Sequence, residues 1–270
     1  MTDTLTAQAE LNGSAPAVIV DPRGGGRPSA TTYAELNALA NRLAHGLASL
    51  GASPGERVVW CGPNSLEVIT TVHAARKAAL VAVPLSYRFT AEEMQYVVDN
   101  SDATTVVIDA EQAPLLASVR DRLPKVREVV VYGGDVPDGF VGWDDLLAAS
   151  PGHEPTPGIT TDKAGGSMIY TSGTTGHPKG ALRTSSDPET VVALLQALRF
   201  QPGEEVYLTT GPLYHSGPLM FATLAHSLGG SIVMMRKFEP SAWLQAVAEH
   251  RATNTFTAPT QLKRIVSLPP

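Results

Sequence analysis

The stretch from Tyr170 to Gly180 reads YTSGTTGHPKG and closes a strand-like run, Ser167 to Thr171. Thr171, Ser172, Thr174 and Thr175 set four hydroxyls within five positions. Gly173, Gly176 and Gly180 carry no side chain, so the backbone can curl and bring its N–H groups close to an anion. Lys179 adds a positive charge. Hydroxyls, exposed amides and one lysine are the donors a polyphosphate needs. The Walker loop, G-x-x-x-x-G-K-[ST], does not fit. The position five after Gly173 is Pro178, and Gly180 follows Lys179 where that loop has Ser or Thr. The competing reading, a flexible Ser/Gly/Thr linker, sits poorly with a preceding buried strand and a closing Pro-Lys-Gly.

Upstream, Leu36, Leu39, Leu43, Leu47 and Leu50 recur at helical spacing over Thr32–Leu50. Thr32 and Glu35 form a capping box, and Gly51 stands where the helix should stop. Strands are expected at Arg57–Cys61, Val81–Leu85, Thr104–Asp109 and Glu128–Tyr132, and helices at Asn64–Ala79 and Thr90–Asn100. The prolines and glycines of Ser150–Gly158 (SPGHEPTPG) mark a boundary. Downstream, helices are expected at Asp187–Phe200, Pro218–Leu228 and Pro240–His250, and strands at Val206–Thr210, Ser231–Met235 and Thr253–Thr257. This alternation predicts an α/β fold of two mostly parallel sheets flanked by helices. It places a first subdomain over residues 1–158 and a second, incomplete at its C-terminal end, over 159–270.

The composition is that of a globular protein, with 43% apolar and 17% charged residues in 270. A net charge of -6 without a long basic run argues against nucleic acid. Cys61 is the only cysteine, which excludes an intrachain disulfide and a thiolate metal cluster and fits a reducing cytoplasm. Met1–Gly13 lacks the features of a secretory signal, and Ala78–Leu85, the longest apolar run, is too short to span a bilayer. His45, His73, His226 and His250 show no metal-ligand spacing, and no metal-ligating residue is assigned. Gly24–Gly26 reads as a turn, and no G-x-S-x-G elbow occurs.

TSGTTGHPKG resembles the phosphate-binding signature of the adenylate-forming superfamily, which holds acyl-CoA synthetases, peptide-synthetase adenylation domains and firefly luciferase. His177 occupies a position that family leaves free. Thr32–Leu36 resembles its TYxEL segment, Gly55–Val58 its G-D-R-V turn, and Arg76–Pro84 its K-A-G-A-x-x-V-P segment, with Ala79 where the family usually has glycine. Pro212-Leu213-Tyr214-His215 is similar to P-[LM]-[FY]-H of acyl-CoA synthetases. The resemblance implies the N-terminal portion of an AMP-forming acyl-CoA synthetase, a ligase that joins a carboxylic acid, here a fatty acid, to coenzyme A through an acyl-adenylate. It implies ATP, magnesium and coenzyme A as co-reactants. Thr171, Ser172, Gly173, Thr174, Thr175 and Gly176 would form the phosphate loop, with Lys179 adding charge and His215 beside the reacting carboxylate. By spacing alone His215 reads rather as a buried loop histidine bonded to backbone, and the family resemblance reverses that preference. A degenerate phosphate-binding or interaction module, an aryl-CoA ligase and an adenylation domain remain alternative readings.

The family's adenine loop, Y-G-x-T-E and S-T-G-D motifs and mobile C-terminal lysine domain have no counterpart in these residues. Self-association is expected, to a homo-oligomer, through an apolar face near Thr253–Ala258. The 270-residue chain alone is expected to give no ATP–pyrophosphate exchange with any carboxylic acid. Exchange above a no-protein blank would contradict this.

Overall fold

The computed structural model describes residues 3–25, 27–156, 166–171, 178–183 and 187–269. In chain order the elements are α1 (Thr4–Asn12), β1 (Pro16–Val20), β2 (Ser29–Thr32), α2 (Tyr33–Ser49), β3 (Arg57–Cys61), α3 (Leu66–Lys77), β4 (Val81–Leu85), α4 (Ala91–Asn100), β5 (Ala103–Asp109), α5 (Ala113–Ala117), β6 (Glu128–Tyr132), β7 (Val141–Gly142) and α6 (Trp143–Ala149). They continue with β8 (Ser167–Thr171), β9 (Lys179–Arg183), α7 (Pro188–Ala197), β10 (Val206–Leu208), α8 (Ser216–Ser227), β11 (Ser231–Met234), α9 (Pro240–His250) and α10 (Pro259–Val266).

Two compact units emerge, and both are discontinuous in sequence. One holds Met1–Asn37, Pro63–Leu66 and Asp187–Pro270. The other holds Ala38–Gly62 and Glu67–Ser186. This division differs from a cut at residue 158. The reason is strand pairing: β1 lies parallel to β11 through Val18↔Ile232 and Val20↔Met234, which draws the start of the chain into the later sheet.

The first unit carries a four-stranded sheet ordered β10-β11-β1-β2. Only the β1–β2 pair is antiparallel. Beneath it Leu208, Val233, Met235, Ala242 and Ala246 form a core. The Tyr33 hydroxyl donates to the Gly230 carbonyl (2.6 Å), and the buried His226 imidazole donates to Ala17 O (3.0 Å). A chain of polar contacts closes the end of β1. Asp21, fully buried, accepts from the Arg23 backbone and guanidinium and from His250 Nε2 (2.9 Å).

The second unit carries a seven-stranded sheet ordered β7-β6-β5-β3-β4-β8-β9, parallel except for the β8–β9 pair. Arg57–Cys61 and Val81–Leu85 are apolar runs because parallel strands are covered on both faces. Val59, Val83, Met94, Val106, Ile108 and Val131 belong to the core that they share with α4. The capping boxes at Thr32/Glu35 and Thr90/Glu93 form as expected: each glutamate takes the cap N–H at 2.8 Å. Ala79, at the usual family glycine, adopts φ 54°, the left-handed conformation that glycine takes without strain. Its N–H returns to Arg76 O (3.0 Å) and the next N–H, of Leu80, to Ala75 O (2.8 Å), ending α3. The described part of the Ser150–Gly158 boundary has no regular element. It is tied down by buried Lys77, which pairs with Glu154 (2.8 Å), and by Asn41 Nδ2, which donates to Gly152 O (3.0 Å). Residues 157 and 158 lie outside the described residues.

One pairing is short. Ala82 N–H reaches Gly166 O (2.9 Å), and Ala82↔Ser167 is the single register pair between β4 and β8. Pro84, two residues on, faces the same side and has no N–H to donate, so the ladder stops there.

The expected strand Thr253–Thr257 is not formed. Only Asn254 bridges to Tyr207. The threonines that suggested a strand use their hydroxyls instead: Thr253 Oγ1 donates to Glu205 Oε2 (2.8 Å) and Thr255 Oγ1 to Leu208 O (2.8 Å), both at β10 or just before it, and Thr257 Oγ1 donates to Gln261 Oε1 (3.2 Å) in α10. The helix α10 follows.

Burial by itself raises the Asp21 pKa. The Arg23 side-chain and backbone hydrogen bonds and the His250 bond outweigh it and bring the group down to about 2. A depressed folded-state value stabilises above the unfolded pKa of about 3.9 and is lost as pH falls toward 2. Asp21→Asn should therefore cost about 2 kcal/mol near pH 6. Denaturant titrations of both proteins should show that gap closing between pH 5 and pH 2.5, and a gap independent of pH would refute the assignment.

Candidate active site

The second unit contributes the β8–β9 hairpin. Its strands pair antiparallel from Ser167↔Arg183 to Thr171↔Lys179, so Lys179 and Gly180 are strand residues rather than loop residues. Ser172, Gly173, Thr174, Thr175, Gly176 and His177 lie outside the described residues. The stem delivers the two ends of that segment: Thr171 closes β8 and exposed Lys179 opens β9. Gly180 lies close under its neighbours: a Cβ on it would stand 3.0 Å from the Tyr170 ring and from Met168 Sδ, a tight contact.

Within the first unit, taken by itself, a turn carries His215. It follows the carboxyl end of β10, the end of a parallel strand where α/β folds place ligands. The His215 N–H donates to Pro212 O (3.1 Å), and its carbonyl accepts from Leu219 N (3.2 Å) at the start of α8. His215 is thus the N-cap of α8, with φ -85° and ψ 140°, and its side chain does not cap the helix. The imidazole lies against Tyr214, with ring centroids 4.4 Å apart.

Asn64 fixes this turn and escaped the sequence reading. It is buried. Its Nδ2 donates to Gly211 O (3.2 Å) and Met235 O (3.1 Å), while its Oδ1 accepts from Leu213 N (2.8 Å). A Pro-Asn-Ser at a helix start reads as a cap, and nothing local announces a staple to a distant turn. Thr210 adds a second set of ties: its Oγ1 accepts from Trp243 Nε1 (2.7 Å), and its carbonyl accepts from Gln261 Nε2 (2.7 Å). Phe256 lies over Gly217, where a Cβ would meet its ring at 2.4 Å, and packs on Phe221.

Among the described residues other histidines have structural partners. His45 meets the His153 ring edge-on, and His226 and His250 hold β1 and Asp21. Cys61 is buried, and burial raises its thiol pKa. A cavity of about 590 Å³ beside Asp21, Arg23 and His250 is lined by groups that satisfy one another. Among the described residues no three His, Cys, Asp or Glu side chains converge, and no helix is long and apolar enough to cross a membrane.

The chain belongs to the AMP-binding enzyme family, which matches residues 5–270. It is 32% identical over 251 residues to a feruloyl-CoA synthase of Amycolatopsis sp, covering 92% of this chain and 47% of that protein. It is 30% identical over 227 residues to the long-chain-fatty-acid–CoA ligase FadD13 of Mycobacterium tuberculosis, covering 82% of this chain and 42% of that protein. A solved Mycobacterium tuberculosis fatty acyl CoA synthetase superposes with a TM-score of 0.82 at 26% identity, over 98% of this chain and 50% of its own. The chain therefore spans about half the length of the curated relatives it matches.

Asn64→Ala would take from Gly211 O and Leu213 N–H the side-chain partner that holds them and leave Met235 O with the long bond from Thr209 Oγ1 (3.5 Å). It should cost about 2–4 kcal/mol in the denaturant midpoint. An unchanged midpoint would show that the turn holds itself.

Proposed function

We propose that this chain supplies the phosphate-binding and carboxylate-facing parts of an AMP-forming acid–CoA ligase. The observation that carries the reading is the β8–β9 hairpin, which pairs Thr171 with Lys179 at the two ends of a Ser/Gly/Thr segment. That donor set fits a polyphosphate. Thr171, Ser172, Thr174 and Thr175, with the backbone at Gly173 and Gly176, would hold the β- and γ-phosphates of ATP, and Lys179 would add charge. Magnesium, when bound with the nucleotide, would neutralise phosphate charge. Its protein ligands are not assigned to these residues. No residue here is assigned to coenzyme A either.

The chemistry follows from a weak electrophile. A carboxylate oxygen attacks the α-phosphorus of ATP, the bond to the β-phosphate oxygen breaks, and pyrophosphate leaves with the bonding pair. The acyl-adenylate is then attacked at its carbonyl carbon by the thiol of coenzyme A, which loses its proton as AMP departs. Donors aimed at the leaving pyrophosphate act where charge develops, and preorganised donors are most effective there. His215, held by the Asn64-stapled turn, would donate to the carboxylate and α-phosphate.

The acid is a small carboxylic acid, and we propose a fatty acid. The feruloyl-CoA synthase likeness favours an aryl acid as the second reading. A panel of fatty and hydroxycinnamic acids in thioester formation decides between them. We place the ligase in the cytoplasm, with self-association through exposed Phe256, Leu262 and Val266 as the mode of oligomerisation.

In the complete ligase that carries this chain, His215→Ala should slow adenylation by roughly tenfold to a thousandfold. Thioester formation from supplied acyl-adenylate should suffer less, because the carboxylate is already activated. Equal slowing of both half-reactions would indicate misfolding. Unchanged adenylation would remove His215 from the site.

A further inference from the structure

Helix α4 touches both legs of the hairpin at its neck. Tyr96 and Asn100 are four residues apart and so share one face of the helix. The Tyr96 hydroxyl donates to the carbonyl of Pro178 (3.1 Å), one residue before the last rung of the β8–β9 ladder. The Tyr170 hydroxyl, on the opposite leg, donates to Asn100 Oδ1 (2.8 Å). Tyr170 is the register partner of Gly180, and the missing Cβ at Gly180 is what leaves room for its ring. Tyr96 and Tyr170 also pack on the buried core of the second unit.

The arrangement is more than a hairpin resting on a helix. Pro178 offers a carbonyl but no N–H, and that carbonyl lies beyond the last register pair. Tyr96 supplies a donor that the ladder does not. On the other leg the hydrogen bond takes a tyrosine ring across a glycine, so its two partners must coincide. Among the described residues one register pair joins β8 to β4, and Met168 and Tyr170 pack on the core beneath. The contacts from α4 add to these at the neck and help set where Thr171 and Pro178, which flank the 172–177 segment, stand.

We propose that Tyr96 and Asn100 are positioning residues of the nucleotide site, which clamp the neck of the phosphate hairpin and tune its hold on a nucleoside triphosphate. The proposal rests on the reading that this hairpin binds the ATP phosphates. It predicts an effect on the β- and γ-phosphates that is absent for a monophosphate.

The test titrates the complete ligase that carries this chain, isotopically labelled, with magnesium–ATP and with AMP, following amide shifts of Lys179 and Gly180. Tyr96→Phe keeps the ring and removes only the donor. Asn100→Ala removes the acceptor at an exposed position and serves as the second variant. Each should weaken ATP about threefold to tenfold, the scale of one hydrogen bond, and leave AMP unchanged. Amide exchange at Lys179 and Gly180 should quicken, with the thermal midpoint nearly constant. Unchanged ATP affinity, or equal weakening of ATP and AMP, overturns the clamp. So does unfolding of both variants, which would make these contacts purely structural. Lys179→Ala separates the two claims. If it abolishes ATP binding while Tyr96→Phe does nothing, the phosphate reading stands and the clamp falls. If wild type takes no ATP, or Lys179→Ala leaves binding intact, the phosphate reading itself fails and the clamp loses its role with it.

Discussion

The parallel pairing of β1 with β11 is the constraint on which the first unit depends. A parallel neighbour cannot be reached by a tight turn, so the chain must leave and come back before Val18 can meet Ile232. Everything in the second unit lies within that excursion. The closure entropy of so long a loop grows only logarithmically, which makes the insertion thermodynamically tolerable. Its kinetic consequence is larger, since the contacts that complete this sheet are among the most distant in the chain. The site of closure is accordingly dense in specific bonds. Tyr33 and His226 hold the α8–β11 turn and β1, and Gly230 passes so close to Glu205 that a Cβ would stand 2.3 Å from its carbonyl oxygen.

Side chains that bond to backbone set the geometry of both candidate parts. Asn64 serves three backbone groups of the His215 neighbourhood, and Thr210 and Gln261 hold the adjoining end of β10. On the hairpin the same task falls to two tyrosines. Such bonds stabilise modestly one by one, but leaving any of their buried partners unmet is costly, and that asymmetry makes the local geometry nearly single-valued.

Much of the fold was legible because it obeys periodicity. Buried parallel strands advertise themselves as apolar runs, and Arg57–Cys61, Val81–Leu85 and Glu128–Tyr132 form with the expected bounds. Capping boxes at Thr32 and Thr90 were equally readable because they are local. What escaped was non-local or short. The strand Pro16–Val20 has its reason for being in residues 231–234, and Lys179–Arg183 becomes a strand only through β8. Thr253–Thr257 misled because threonine suits a strand and a side-chain hydrogen bond alike, and here the hydroxyls bond to Glu205, Leu208 and Gln261. Of the candidate site, residue types and spacing pointed to the phosphate segment, and only the family resemblance pointed to His215. Asn64, Tyr96 and Asn100 could not be seen, since a polar residue bonding to a distant carbonyl leaves no pattern. Ala79 is a milder case: the expected glycine is absent, yet the left-handed turn is kept.

Pro84 has a consequence for how the edge of the second unit is held. A sheet edge normally shares its fate with its neighbour, because every rung must break together. Here the proline breaks that continuity one rung into the β4–β8 interface. The β3–β4–β5 centre keeps its full set of pairings, while β8 and β9 lean on side chains where rungs are missing: Met168 and Tyr170 pack on the core, and α4 bonds both legs. A missing amide proton thus shifts the holding of this edge from backbone to side chains, so that a single side-chain substitution there reaches further than it would beside a complete ladder.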